Sequence, residues 1–281
     1  MNVLFPRSMK ALHEALARPD ARILAGGTDL LVRLRSGRET AGALVSLDRL
    51  AALRGVSEDT RGGLHRVLRI GAATTHAELL AHPLVRARLP ILACALENLG
   101  SPPIRNMGTL GGNLCTASPA GDCLPPLMVL GAELELASAA GTRRLPLAEF
   151  ILGPGRTALV HGEVLAAVHV PVPGLDAVQH FEKVGRRSAL AVAVVSLAAL
   201  VRPGRGGKVA EARLAWGSVA PTVWRCAEAE GVLAGRRLSL SALTDAAAVV
   251  RRRVRPIDDL RASADYRREV AGNLLLRLAV L

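Results

Sequence analysis

Aromatic residues are scarce in this sequence of 281 residues. Phenylalanine, tryptophan and tyrosine together make up 2% of the chain, which leaves few rings on which nucleobases could stack. Lysine is also rare, since only Lys10, Lys183 and Lys208 occur, and arginine supplies the rest of a net charge of +12. An arginine excess without basic runs favours a compositional bias over nucleic-acid binding. Attraction of an acidic partner or of a phosphate-bearing ligand stays open.

Cysteines are few, and their spacing does not match a metal site. The four cysteines contain no Cys-x-x-Cys pair, which is the spacing expected of zinc-binding segments. Cys115 and Cys123 both lie in the central part of the chain, but two thiols do not complete a cluster or metal site. The sequence therefore predicts free thiols, no disulfide scaffold and no metal site.

Long hydrophobic runs are absent as well. The apolar run at 189–201 is too short to cross a bilayer, which takes about 20 residues. The first eight residues lack a charged leader followed by an apolar segment, so no signal peptide is expected. Half of the residues are hydrophobic and 21% are charged, which argues against disorder. We expect a soluble, cytoplasmic protein without a membrane span, whose length allows two domains.

Glycine and short polar side chains concentrate in the central stretch 104–126. Its glycines leave bare backbone against which a ligand could lie, and they are Gly108, Gly111, Gly112 and Gly121. Its short donors and acceptors can hydrogen-bond phosphate or ribityl oxygens, and they are Thr109, Asn113, Thr116 and Ser118. Asp122 accepts only when ionised, which suits a ligand hydroxyl. The alternative is a large surface loop with turn glycines.

A second glycine pair lies near the N-terminus, between a strand expected at 21–25 and a helix expected at 30–35. Gly26 and Gly27 would place backbone N–H groups and a helix N-terminus at one point, which suits an anion. The third glycine of the dinucleotide fingerprint is missing. The sextet 153–158 does fit Gly-x-Gly-x-x-Ala, but residues 159–171 alternate like a strand, which excludes a Rossmann turn.

Hydrophobic periodicity and capping residues predict the remaining elements. Helices are expected at 8–17 with Ser8 as N-cap, and at 76–80, 90–99, 124–130, 225–234, 240–254 and the C-terminus. Strands are expected at 43–47, 67–72, 132–136, 190–201 and 209–216, with a turn at 203–208. His76, at a capped helix start, is expected to be structural.

These motifs together resemble a known family. Thr109-Leu-Gly-Gly-Asn113, followed by Ala117-Ser-Pro-Ala-Gly-Asp122, resembles the second FAD loop in the flavoprotein subunit of molybdenum hydroxylases, the xanthine dehydrogenase family. Ala25-Gly-Gly-Thr-Asp-Leu30 resembles the first FAD loop. Further similar segments at 70–78, 163–171, 179–187 and 256–267 extend the resemblance from about residue 21 to the C-terminus.

The resemblance implies an α+β fold in two domains. Residues 1–174 would form a two-lobed FAD-binding domain of the vanillyl-alcohol-oxidase/PCMH type, with lobes at about 1–55 and 56–174. Residues 175–281 would form a smaller C-terminal α+β domain. The segment Pro171-Val-Pro-Gly174 is the best boundary, since its prolines and glycine interrupt regular structure.

The resemblance also implies a function and a set of contacts. The chain would hold FAD non-covalently and pass electrons between [2Fe-2S] clusters of a small partner subunit and an external acceptor such as NAD or quinone. A large partner subunit would carry molybdopterin and the organic substrate. No residue here need be an acid–base catalyst. The implied FAD contacts are Leu24, Ala25, Gly26, Gly27, Thr28, Asp29, Leu30, Leu99, Gly100, Thr109, Gly111, Gly112, Asn113, Thr116, Ser118, Asp122, Val164, Leu165 and Lys183.

The sequence departs from the patterns of particular family members in two places, and three alternatives to the implied function stay open. The first loop reads Gly-Gly-Thr-Asp, whereas Gly-Gly-His-Ser is expected of carbon monoxide dehydrogenases. The sequence also contains no cysteine-rich insertion, so an extra [4Fe-4S] cluster is not expected. The alternatives are a stand-alone flavin-dependent oxidoreductase, a nucleic-acid-binding module and a scaffold without flavin. A pocket acid–base pair, which the first alternative needs, is not evident in the sequence.

Overall fold

The computed structural model describes residues 2–59, 66–187 and 190–280. The strands are β1 (Asn2–Leu4), β2 (Ala21–Leu24), β3 (Ala43–Ser46), β4 (Val56–Asp59), β5 (Val67–Gly71), β6 (Glu133–Ser138), β7 (Gly141–Pro146), β8 (Ile151–Gly153), β9 (Arg156–Thr157), β10 (Val164–Pro171), β11 (Val178–Val184), β12 (Val195–Pro203), β13 (Val209–Gly217) and β14 (Trp224–Arg225). The helices are α1 (Met9–Leu16), α2 (Leu30–Arg35), α3 (His76–Ala81), α4 (Pro83–Arg88), α5 (Pro90–Glu97), α6 (Pro102–Met107), α7 (Leu110–Thr116), α8 (Leu124–Leu130), α9 (Leu147–Phe150), α10 (Ala227–Leu233), α11 (Leu240–Arg253) and α12 (Ala264–Leu276).

The chain forms two packing units, and neither is continuous in sequence. The first comprises Met1–His82, Ser101–Ala117 and Gly131–Pro171. The second comprises Pro83–Gly100, Ser118–Leu130 and Val172–Leu281. The central stretch is therefore divided between the two units at Ala117.

The first unit contains two main sheets. A parallel three-stranded sheet has the order β1-β3-β2, and an antiparallel five-stranded sheet has the order β4-β5-β10-β6-β7. Seven of the eight residues of β10 are buried, as expected for a central strand whose two faces are both covered. Strands β8 and β9 form a separate hairpin, which confirms that the sextet 153–158 is not a dinucleotide turn.

Local signals account for the helices that frame the first unit. The Ser8 hydroxyl accepts from the Ala11 N–H and caps α1, and Leu12 and Leu16 form its buried face. Thr75 and Glu78 make a reciprocal capping box at α3, which satisfies two N–H groups that a helix start leaves unpaired. These helix starts are confirmed as predicted.

The second unit is built on an antiparallel sheet of order β11-β12-β13-β14. Helix α5 packs on β11, α8 on β12 and β13, and α10 on β13. Trp216 of β13 is completely buried among apolar side chains of α10, α11 and α12, and its indole N–H donates to the Ala271 carbonyl at 3.0 Å. This core fixes the ends of β12 and β13.

One expectation for secondary structure was wrong in detail. The strand expected at 190–201 begins only at Val195, because Leu190 has a left-handed backbone (φ +56°) that an extended strand does not allow. Ala189, in the apolar run, lies outside the described residues. Much of the central stretch is helical, since α6 and α7 cover 102–107 and 110–116. Over the described ranges, no helix is long and apolar enough to cross a membrane.

Candidate functional site

The first glycine loop ends β2 and opens α2 with a row of unpaired donors. Gly27 has φ +69°, a conformation that favours glycine, and it turns the chain into the helix. Within residues 2–59, 66–187 and 190–280, nothing accepts a hydrogen bond from the backbone N–H groups of residues 26–30. Successive free N–H groups at a turn form an anion-binding concavity, so this loop is suited to a diphosphate.

The second glycine loop lies directly against the first. A Cβ built at Gly26 would lie 1.8 Å from the Met107 carbonyl oxygen, so only glycine permits this approach. A second link joins the loops, since the Thr116 hydroxyl donates to the Asp29 carboxylate over 3.2 Å. The two motifs, far apart in sequence, are thus adjacent in the folded chain.

The second loop differs from the first because backbone N–H groups of its glycines are hydrogen-bonded within the protein. Thr109 caps α7, because its hydroxyl accepts from the Gly112 N–H at 3.1 Å. The Gly111 N–H donates to the Ala72 carbonyl at 2.8 Å, and a Cβ at Gly111 would lie 2.8 Å from that residue. Close packing against the chain after β5 therefore explains why residue 111 is a glycine. Beyond the backbone of α7, the Thr109 hydroxyl is the only group of the described residues that an added Cβ at Gly112 would contact.

A cavity of about 380 Å³ adjoins the contact between the two loops. Its lining includes Ala25, Gly26, Asp48, Arg54, Glu78, Asn106, Met107 and Thr109. The Arg54 guanidinium lies 3.6 Å from Asp48 and 3.7 Å from Glu78. No spacing pattern in the sequence marks Arg54, Asp48 or Asn106, because they are isolated polar residues on separate elements.

A buried ion pair marks the second unit. The Lys183 ammonium donates to Asp122 Oδ2 at 2.7 Å and to the Asn98 carbonyl at 2.9 Å. The two side chains are 6% and 9% exposed, so Lys183 is not a solvated surface lysine. Burial raises the pKa of Asp122 to about 6, although the Lys183 ammonium acts in the opposite direction.

The carboxylate of Asp122 is only half used by this pair. Its second oxygen, Oδ1, is buried without a hydrogen-bond partner among the described residues. Buried polar atoms normally have partners. An unused acceptor beside an ammonium group therefore points to a ligand that can both donate and accept.

Comparisons with known proteins agree along the whole chain. The family described as the FAD binding domain in molybdopterin dehydrogenase matches residues 1–173, and the CO dehydrogenase flavoprotein C-terminal domain matches residues 179–280. The chain belongs to the molybdopterin dehydrogenase flavoprotein family. The family and the α+β fold predicted from the sequence are confirmed.

Individual relatives place this flavoprotein among medium subunits. It is 36% identical over 251 residues to the xanthine dehydrogenase FAD-binding subunit of Escherichia coli O157:H7, covering 89% of this chain and 84% of the relative. It is 31% identical over 258 residues to the carbon monoxide dehydrogenase medium chain of Hydrogenophaga pseudoflava, covering 92% and 88%. The structure of quinoline 2-oxidoreductase from Pseudomonas putida 86 aligns with a TM-score of 0.92 at 31% identity, covering 100% of this chain and 95% of that one. The chain is thus an FAD-binding oxidoreductase subunit of the molybdenum hydroxylases.

The residues of this flavoprotein fit its cofactor in chemical type. The free N–H row at 26–30 suits the diphosphate. Asn113 Oδ1 is buried and has no partner within the described part of the chain, so it can accept from a sugar or ribityl hydroxyl. The Asp29 carboxylate accepts from the Thr116 hydroxyl and lies 3.7 Å from the Arg33 guanidinium, and a contact between Asp29 and FAD stays a prediction.

Other predicted contacts remain predictions. Val164 and Leu165 are 2% and 3% exposed, and Val164 belongs to the apolar core of the first unit. The Ser118 hydroxyl accepts from the Ala120 N–H at 3.3 Å within its own turn. Leu99 is 8% exposed and Gly100 turns the chain after α5 with φ +52°. The geometry of these five residues gives no independent sign of a ligand.

His76 has the structural role expected from the sequence. It is 3% exposed, and its ring lies 3.1 Å from the point where a Cβ at Gly108 would be. Burial, with a smaller contribution from Arg105, lowers the pKa of His76 to about 4. A neutral, enclosed imidazole packs the second glycine loop onto α3.

Proposed function

We propose that this subunit holds FAD non-covalently at the paired glycine loops and relays electrons between [2Fe-2S] clusters of a small partner subunit and an external acceptor such as NAD or quinone. The organic substrate would react in a large partner subunit that carries molybdopterin. The observation that carries the proposal is the close approach of Gly26 to the Met107 carbonyl, which brings both loops to one place. Support for the partners comes from the names of the relatives.

The chain's own residues would bind and orient the cofactor. The N–H groups of 26–30 would hold the diphosphate at the start of α2. Asn113, Asp122 and Lys183 would bind the sugar, ribityl and ring portions, the last two on the family resemblance. Bound FAD supplies one- and two-electron exchange, and the protein supplies the environment that tunes it.

The four cysteines fit the cellular setting that we propose. All are free, which is typical of a reducing compartment. Burial raises the pKa of the Cys115 thiol to about 12, so this cysteine is an inert structural group at neutral pH. We therefore assign the subunit to the cytoplasm.

The direct test is the visible spectrum of the purified chain. We expect flavin bands at nearly one FAD per chain, released by acid because no covalent link holds the cofactor. Gly112→Leu should fold but lose the flavin, since its side chain would project from the start of α7. Gly231→Leu is the matched control, because a Cβ at that helical glycine would meet no described residue within 4 Å beyond the backbone of its own helix.

Two results would contradict the proposal. Normal flavin occupancy in the Gly112 variant would remove the second loop from the site. Oxidation of an organic substrate by the lone subunit, without partner chains, would instead favour a stand-alone flavin oxidoreductase.

A further inference from the structure

The second unit contains a buried cation that the cofactor site does not explain. Arg267, in the first turn of α12, is 3% exposed. Its Nη1 donates to the Val194 carbonyl at 2.7 Å and to the Ser218 carbonyl at 3.1 Å. Its Nη2 donates to Asp259 Oδ1 at 2.6 Å. One planar side chain therefore joins three loops.

The anionic partner of this arginine is itself firmly held. Asp259 Oδ1 also accepts from the N–H groups of Arg261 at 2.8 Å and Ala262 at 3.2 Å. Desolvation raises the pKa of Asp259, but the Arg261 N–H and then the Arg267 guanidinium lower it, to about 2 overall. The carboxylate is therefore ionised at neutral pH and fixes the guanidinium from one side.

One chain of hydrogen bonds connects this guanidinium with the strand that carries Lys183. The Val194 N–H donates to the Val184 carbonyl at 2.8 Å, and Val184 follows Lys183 at the end of β11. Strand β11 pairs with β12 from Val184 and Val195 onward. Holding Val194 therefore fixes the end of the strand from which the Lys183 ammonium extends.

A second chain of hydrogen bonds connects the guanidinium with the loop that carries Asp122. The Ser218 N–H donates to the Pro119 carbonyl at 2.8 Å, in the loop that carries Asp122. The Ser218 hydroxyl donates to the Ala193 carbonyl at 2.9 Å and so connects the two chains of hydrogen bonds. Ser218 has φ +64°, a strained conformation for a serine that its surroundings must maintain.

We propose that Arg267 is a positioning residue that aligns Asp122 with Lys183 and thereby sets how tightly this pair binds the cofactor. It hydrogen-bonds to neither residue, but its fork holds both loops that carry them. Arginine suits this task because its planar donors reach two carbonyls and a carboxylate at once. The proposal rests on the proposed function, in which Asp122 and Lys183 contact FAD.

The test compares two substitutions in α12 of the full-length chain. Arg267→Met removes the fork, whereas Leu275→Ala opens a cavity at a fully buried core residue of the same helix. Both should lower the melting temperature. FAD release is followed by the rise of free-flavin fluorescence after dilution, and the flavin environment by visible circular dichroism.

We expect Arg267→Met to release FAD at least about tenfold faster than wild type and to change the dichroic bands. Leu275→Ala should stay within about twofold of wild type. Equal acceleration in both variants would show that Arg267 acts only through stability and would overturn the proposal, as would unchanged release in Arg267→Met.

A milder variant decides the matter if Arg267→Met does not fold. Asp259→Asn keeps the size of the anchor and removes its charge, so release should again accelerate more than in Leu275→Ala. Wild-type chain that binds no FAD would refute the proposed function, and the positioning role with it. Wild-type binding with unaffected Arg267 and Asp259 variants would refute the positioning role alone.

Discussion

Replacement of Lys183 by methionine tests the buried pair with Asp122. The two side chains are 6% and 9% exposed, and their charged atoms lie 2.7 Å apart. The substitution keeps most of the apolar stem but removes the only cation recorded in contact with this carboxylate among the described residues. We expect a loss of stability that depends strongly on pH.

The sign follows from the folded-state pKa of Asp122. That pKa is raised from 3.8 to about 6. Ionisation of the carboxyl is therefore less favourable in the folded than in the unfolded chain, and the resulting loss of folding stability grows as the pH rises from 3.8 to 6. Lys183 offsets this cost only where the folded carboxyl is ionised. Its contribution is therefore present above pH 6 and is lost as the pH falls through 6.

The size follows from the usual effect of a neighbouring charge. A contacting cation lowers the pKa of a carboxyl by about 1–3, and each step of one corresponds to about 1.4 kcal/mol. For a pair this buried, we expect Lys183→Met to lose about 2 kcal/mol more at pH 8 than at pH 5. The variant escapes a larger loss because Asp122 can take up a proton.

The assay is urea unfolding followed by tryptophan fluorescence, without added FAD. Both tryptophans of the chain, Trp216 and Trp224, belong to the sheet of the second unit, so the signal reports the unit that contains the pair. Lys208→Met is the control, because it makes the same chemical change at an exposed lysine in that unit. An equal loss at pH 5 and pH 8 for Lys183→Met would refute the reasoning.

Three further predictions concern the first unit. Gly26→Ala should abolish FAD binding and lower the melting temperature, because the new Cβ would lie 1.8 Å from the Met107 carbonyl oxygen; full flavin absorbance would contradict this. Thr116→Val should weaken FAD binding about 3- to 10-fold by titration, because it removes the link to Asp29, worth about 1 kcal/mol; unchanged affinity would show that the link is dispensable. Glu163→Gln should lower the melting temperature at pH 7 and by progressively less as the pH is lowered, since a hydrogen-bonded arginine lowers the pKa of Glu163 and the benefit of its ionised carboxylate is lost as the pH falls through the folded-state pKa; a pH-independent effect would rule out the ion pair as the cause.

Features coded by neighbouring residues could be predicted from the sequence. Ser8 and the pair Thr75 and Glu78 cap their helices as expected, because capping depends only on positions within one turn. Gly37 ends α2 with φ +70°. The paired glycine loops could be linked in advance only through the family resemblance, which supplied the long-range information that periodicity lacks.

Features that depend on distant contacts could not be predicted. The position of Gly111 in a helix follows from its packing on Ala72, a contact that no local pattern encodes. The partner of Lys183 is 61 positions away, and charge alone allows many such partners. The same applies to Arg267, whose three partners lie in separate loops that only the tertiary fold brings together.

The interleaving of the two units constrains how related chains can be recombined. Segments 83–100 and 118–130 pack with the C-terminal part of the chain, where α5 covers β11 and α8 covers β12. A chimera joined at residue 172 would thus seat the helices of one parent on the strands of the other, across an apolar interface. Exchange of a whole unit requires a mosaic gene with several junctions, each placed where the chain passes from one unit to the other.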